Sequence, residues 1–380
     1  MIIKNANVYC KTGKFEKGDI TIEGEYIAKN SGKNSEKNSG EIIDAEGLMA
    51  IPGLVDIHLH GCVGKDFSDA DEEGLREMLR FEASQGITSV CPATLTLAEE
   101  KLSKACKRIS TVTDEKGSAV VGIQLEGPFL SYNKRGAQNP DYLCKPEVEM
   151  VDRLQKEANG LIKLIAIAPE LDGALEVINK LSNKGIRVSL AHSEAGYETA
   201  MKGLESGARQ VTHLFNGMAP FHHRDPGLIG AARDFELCTP ELICDGEHVH
   251  PGVVRATFAM FSDERIIMVS DSMMATGMED GIWNLGGLEV EVKGTRAALT
   301  SNDSIAGSVT HLMQCLKIAV KKMKIPLESA IKCCTINPAK AIGADDKRGS
   351  IEVNKYADVV LLDNDLNIKK IILRGKELKD

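Results

Sequence analysis

The stretch Val55-Asp-Ile-His-Leu-His-Gly61 decides how the chain is read. Every second residue from Val55 to Leu59 is apolar, and in an extended strand side chains two apart share a face. Read as a strand over residues 54 to 60, it packs Val55, Ile57 and Leu59 on one side and projects His58 and His60 from the other. Two imidazoles on one face make a bidentate grip for a metal ion. The alternative is a pair of structural polar residues, and only partners elsewhere in the chain can decide between the two. Cys62 would share that face, but Gly61 ends the strand, so Cys62 is not expected to be a ligand.

Outward from this stretch, apolar runs of about six residues alternate with amphipathic stretches, the signature of β-α units. The runs fall at 54 to 60, 87 to 93, 119 to 126, 162 to 168, 187 to 192, 210 to 215, 241 to 245 and 265 to 271. Eight parallel strands predict an α/β fold closed as a TIM-like (β/α)8 barrel, with an open doubly wound sheet as the alternative. Segments such as EGLREMLRFEASQG and GALEVINKLSNKG carry apolar residues at three and four spacing and end in Gly, as outer helices should. Residues 284 to 299 read as an inserted β-hairpin, followed by helices at 308 to 323 and 326 to 336.

Both ends have a different character. Residues 2 to 9, 19 to 28 and 42 to 50 read as short strands, and the tail GSIEVNKYADVVLLDNDLNIKKIILRGKEL resembles them. A small β-sandwich domain formed by both termini is expected, from residues 1–51 and 346–380, flanking a barrel over 52–345. Between two of the strands, KNSGKNSEKNSG (Lys29 to Gly40) repeats a polar tetrapeptide and reads as a solvated hairpin loop.

The 380 residues carry a net charge of −9 with both signs interspersed, which argues against nucleic acid or a membrane surface as partner. The N-terminus lacks the apolar core of a signal peptide, and no stretch reaches membrane-spanning length. The ten cysteines are scattered without a C-x-x-C. Reduced thiols and a cytoplasmic location are expected.

The partners of the His pair recur at the ends of the expected strands: Glu126 on the third, His192 on the fifth, His213 on the sixth and Asp271 on the eighth. The C-terminal ends of barrel strands meet at one mouth, so these six side chains are expected to converge there on one or two divalent cations. Imidazole and carboxylate donors without thiolate suit Zn²⁺, and also Fe²⁺, Mn²⁺ or Co²⁺. Such a site supports hydrolysis, with Asp271 as the natural proton carrier; the other reading of Asp271 is a helix N-cap. HLFNGMAPFHHRDPG brings Asn216, His222, His223 and Arg224, and CDGEHVH brings His248 and His250. This basic cluster suits a phosphate or carboxylate, or else ordinary loop salt bridging with Asp225. His311 reads as structural.

The motifs DAEGLMAIPGLVDIHLHG and NPAKAIGADDKRGSIEVNKYADVVLLD resemble the amidohydrolase superfamily, which combines a metal-bearing barrel with a sandwich from both termini. QLEGPFL, KRGAQNP, IAPE, AHS, THLFNGM, RDPGLIG, CDGEHVHP and VSDSMMATG are similar to the branch that removes the acetyl group from N-acetylglucosamine 6-phosphate. The resemblance implies that Glu126, His192 and His213 hold the principal metal, that His58 and His60 add capacity for a second, and that Asp271 is the catalytic acid and base. It implies a phosphosugar touching Ala137, Gln138, Asn216, Gly217, Arg224, the run Asp245, Gly246, Glu247 and His248, and the turn Ile305, Ala306 and Gly307. It further implies a homodimer whose second subunit helps hold the phosphate. Other superfamily members bridge two metals with a carboxylated lysine near the end of strand four; here that strand ends IAPE, with Lys163 at its start, and Glu126 takes the bridging place. Gln138 stands where that branch commonly has His. The alternatives are a deacetylase for the galactosamine epimer, another amide hydrolase, and a barrel kept only for binding.

Overall fold

Ten short segments make eight parallel strands, since the second and third are each broken in two. In the computed structural model, which describes residues 1–29 and 40–379, they are Leu54–Asp56, Ile87–Val90 with Ala93–Thr94, Ala119–Val120 with Ile123–Leu125, Ile162–Ile167, Arg187–Leu190, Gln210–Val211, Thr239–Ile243 and Ile267–Val269. Each pairs in parallel with its sequence neighbour. The ring closes between the last strand and the first, where Asp271 N–H donates to His58 O at 2.9 Å and His60 N–H to Ser272 O at 2.7 Å. Apart from Lys29 and Gly40, the repeat read as a hairpin loop lies outside the described residues.

Inside the ring, Val55, Ile57, Cys91, Leu164, Ile243, Ile267 and Val269 form one apolar cluster with Ala339 and Ile342, the last helix region closing one end. Leu59 belongs instead to the larger core between strands and helices. The helix Glu72–Ser84 shows why such helices form: Asp71 caps it by accepting from Gly74 N–H, two glutamates open its first turn, and Leu75, Met78, Leu79 and Ala83 make its buried stripe.

Several strands are shorter than their apolar runs. The first ends at Asp56 rather than His60, the sixth at Val211 rather than Phe215, and the fifth and eighth stop before His192 and Asp271. At the last three the reason is in the backbone: His192, His213 and Asp271 have φ of 44°, 31° and 50°, a left-handed turn that no ladder can continue. The insertion after strand eight has three strands, not two: Gly281–Leu285, Leu288–Lys293 and Arg296–Leu299. The helix expected at 308 begins at Leu312, with His311 as its N-cap accepting from Gln314 N–H, and the helix expected over 326 to 336 is two, Leu327–Cys334 and Ile336–Ala341.

The two ends build one mixed eight-stranded sheet. Met49–Pro52 pairs antiparallel with Val359–Leu362, stitching front to back. Ile2–Tyr9 pairs with Ile42–Asp44 along its first half and with Met49–Pro52 along its second, so the ladder forks and the sheet can bend over its own core of Ile3, Ile20, Ile22, Ile43, Val359 and Ile372.

Candidate active site

The side chains at the strand ends meet in two buried groups, each with ligand-type atoms within 4.8 Å of one another: His58, His60 and Asp271, and Glu126, His192 and His213. Glu126 joins them. Its Oε1 lies 3.1 Å from His192 Nε2, 3.0 Å from His213 Nε2 and 3.4 Å from His58 Nε2, while Oε2 lies 3.1 Å from His60 Nε2. Asp271 Oδ1 is 3.6 Å from His58 Nε2 and 3.4 Å from His60 Nε2. Asp271 caps no helix; the next one begins at Leu312.

The outer nitrogens fix what the inner ones can do. His192 Nδ1 faces Lys134 O at 2.8 Å and His213 Nδ1 faces Asn216 O at 3.1 Å. A carbonyl only accepts, so both rings carry their proton on Nδ1 and turn bare Nε2 lone pairs inward. Those two nitrogens are 3.1 Å apart, and both face a carboxylate oxygen. Lone pairs crowded this way repel unless a cation lies among them. His58 Nε2 makes the same point as a buried nitrogen without a hydrogen-bond partner, aimed between Glu126 and Asp271. The residues therefore fit a divalent cation in either group.

Charge follows from the same crowding. Burial works against a proton on His58, but the carboxylates of Glu241, Glu126 and Asp271 outweigh it and raise the pKa well above the ordinary value. For His60 burial is likewise outweighed, by Asp271 and Glu126, and the pKa rises to about 10. Burial alone would push Glu126 and Asp271 up; the imidazoles instead hold Glu126 far below, and Asp271 below, the usual carboxylate range. A metal ion would take over the positive charge that these carboxylates demand, since it competes with protons for the same lone pairs.

The groups form the floor of a cavity of about 370 Å³ lined by His60, Glu126, Gly136, Ala137, Gln138, His192, His213, Asn216, Gly217, His248, Asp271, Ile305 and Gly307, among others. Gly217, at φ 62°, lies so close to His192 that a Cβ there would sit 2.9 Å from its Nδ1. Gln138 is tied at both ends: its amide oxygen accepts from Thr96 N–H at 2.7 Å and its amide nitrogen donates to Glu126 Oε2. His248 Nδ1 donates to Asp245 Oδ2 at 2.7 Å; burial opposes its charge but Asp245 prevails and raises its pKa.

Not every expected contact residue faces the cavity. Asp245, Gly246, Glu247 and Ala306 are not among its lining residues, and Gly246 and Glu247 are exposed. Arg224, with His222 and His223, is exposed on the loop that leaves the wall after Gly217, and among the described residues the lining contains neither Lys nor Arg. Cys62 is buried against Met78 O at 3.8 Å, away from the ligand atoms. Two acidic residues with clear contacts to this site are absent from the sequence-level set. Glu170, the last residue of IAPE, accepts from Ser193 Oγ and Glu194 N–H, both at 2.6 Å, and braces the turn after His192. Glu241 meets His58 Nδ1 at 2.8 Å from strand seven. The available signal for Glu241 is a carboxylate between Pro240 and the apolar pair Leu242 and Ile243 in the barrel strand Thr239–Ile243.

The amidohydrolase family model matches residues 49–378. The chain is 33% identical over 381 aligned positions to the N-acetylglucosamine-6-phosphate deacetylase of Bacillus subtilis (strain 168), covering 99% of this chain and 96% of that one. It is 32% identical to the N-acetylgalactosamine-6-phosphate deacetylase of Escherichia coli O157:H7, with 88% of each chain covered. Its fold superposes on a mutant N-acetyl-D-glucosamine-6-phosphate deacetylase from Mycobacterium smegmatis, solved in complex with N-acetyl-D-glucosamine-6-phosphate, with a TM-score of 0.92, 29% identity and 100% and 99% of the two chains covered.

Proposed function

The chain belongs to the amidohydrolase family, and from that premise we propose that it hydrolyses N-acetyl-D-glucosamine 6-phosphate to D-glucosamine 6-phosphate and acetate. The observation that carries this reading is Glu126, a single carboxylate touching the imidazoles of both buried groups on the floor of a sugar-sized cavity. The similarity to deacetylases over nearly the whole chain supports the substrate.

In this reading Glu126, His192 and His213 would hold one divalent cation and His58, His60 and Asp271 a second, with Glu126 beside the imidazoles of both groups. The donor set favours zinc, with Fe²⁺, Mn²⁺ or Co²⁺ as rivals. When bound, such a cation supplies Lewis acidity, polarising the acetamide carbonyl and making water a competent nucleophile near neutral pH. Asp271, kept ionised by the neighbouring imidazoles, accepts the proton of the attacking water. As the water oxygen bonds to the acetyl carbon and the C–N bond breaks, Asp271 returns that proton to the amine nitrogen. Gln138 holds Glu126 in place and presents its remaining amide N–H to the acetamide, while Ala137, Asn216, Gly217, His248, Ile305 and Gly307 seat the sugar. Asp245 holds His248 in that wall by accepting from its Nδ1. With no Lys or Arg in the lining, the phosphate is met at the rim by Arg224 and its neighbouring histidines, with a second copy of the chain in a homodimer completing the pocket.

The test is acetate release from N-acetylglucosamine 6-phosphate by the purified, metal-loaded protein. No release overturns the proposal. The similarity to the galactosamine enzyme favours a second reading, and faster turnover of N-acetylgalactosamine 6-phosphate would establish it.

A further inference from the structure

Glu241 has no place in the chemistry above, yet its carboxylate is fully buried in the barrel interior. Burying a charge is costly unless donors surround it. It has three: His58 Nδ1 at 2.8 Å and His213 N–H at 3.2 Å on Oε2, and Gln210 Nε2 at 2.6 Å on Oε1. Gln210 in turn accepts on Oε1 from Arg187 Nε at 2.7 Å, and Arg187 is anchored by Thr239 Oγ1 and Arg209 O.

The direction of this chain follows from its two unambiguous members. Arginine can only donate, so the oxygen of Gln210 faces Arg187 and its NH₂ faces Glu241. The carboxylate can only accept, so the proton between it and His58 belongs to His58 Nδ1. Gln124 Nε2, at 3.4 Å from the same nitrogen, is a more distant neighbour. The bare lone pair of His58 is thereby fixed on Nε2, between Glu126 and Asp271. The two groups also differ here: His192 and His213 lean on neutral backbone carbonyls, His60 Nδ1 has no partner, and His58 alone of the four leans on a carboxylate.

We propose that Glu241 is a positioning residue for the second cation: with Gln210 and Arg187 behind it, it fixes the tautomer and orientation of His58 and so determines whether the His58, His60 and Asp271 group binds metal. This rests on the two-cation reading above. A carboxylate behind a ligating imidazole typically contributes about 10- to 100-fold in metal affinity. Glutamine at 241 cannot restore it, because Gln210 and His58 both present N–H groups and an amide has only one accepting end.

The test measures metal per chain by elemental analysis on metal-loaded Glu241→Gln, with circular dichroism and melting as folding controls. The expected result is a folded protein that keeps one cation and binds the second about 10- to 100-fold more weakly. Gln210→Met, which leaves the carboxylate in place but unanchored, gives a smaller loss in the same position and serves if Glu241→Gln does not fold. Two cations bound with unchanged affinity in both variants overturn the role of Glu241 while leaving the deacetylase reading intact. Loss of both cations from a folded variant also overturns it, since the effect would not be specific to His58. An unsubstituted protein that binds none sinks the metal reading itself.

Discussion

Glu126 and Glu82 are equally hidden, at 2% and 1% exposure, yet their surroundings shift the two carboxyls in opposite directions. Glu126 stands among four imidazoles that hold it far below the usual carboxylate range despite its burial. Glu82, on the inner face of the helix Glu72–Ser84, has neither oxygen in a hydrogen bond and meets only the weak thiol donor of Cys62. Burial first, and the nearby Asp56 second, push it up to about 8. Burial drives a carboxyl toward its neutral form, and positive neighbours or hydrogen-bond donors reverse this. A buried acid kept charged therefore marks a place where chemistry is prepared; one left neutral is a polar group packed into a core.

The sharpest way to break this contrast is Glu126→Gln. It removes the shared carboxylate, so cation content and acetate release should both collapse; near-normal metal content would show that Glu126 is not the shared group. Asp271→Asn should lower kcat by about a hundred- to ten-thousandfold while sugar phosphate still binds, and unchanged kcat removes Asp271 from the mechanism. Replacing His58 and His60 together by Ala should take metal content from about two per chain to one with the fold intact. A starting value of one would return the pair to a structural role.

Glu82→Gln addresses the other half of the contrast. Because the folded pKa of about 8 exceeds the ordinary 4.5, the folded protein holds this proton more tightly than the unfolded chain. Its contribution is fully present at low pH and declines as pH rises from 4.5 through 8. The variant should lose that decline and gain about 4 kcal/mol relative to the parent between pH 5 and pH 9, with little of that gain near pH 5. Urea melts at both values would show it, and a pH-independent difference would mean that Glu82 ionises freely. The smallest effect is expected from Gln138→His, which should preserve or modestly raise the deacetylation rate; a clear fall in kcat/KM would give Gln138 a role peculiar to this chain.

The barrel and the strand-end side chains were legible because period and position are local properties. His58 and His60 share a short stretch, Glu126, His192 and Asp271 each close an apolar run, and His213 lies within another. What stayed hidden depends on pairing across the ring. Nothing local shows that Glu241 faces His58, nor that Arg224 projects from a loop instead of entering the cavity. The strand ends were overdrawn for a related reason. Leu214 and Phe215 look like strand residues, but the chain has already turned at His213, and a histidine gives no warning of the left-handed backbone that glycine would.

The antiparallel pairing of Met49–Pro52 with Val359–Leu362 has a consequence in time. During synthesis the first of these strands emerges roughly three hundred residues ahead of the second, an interval of roughly 15 to 60 seconds at ordinary elongation rates. Through that interval the early strands present an unpaired edge and an uncovered apolar face. The nascent chain must be shielded until Val359–Leu362 and the strands after it arrive, while the barrel between them can close on its own contacts first.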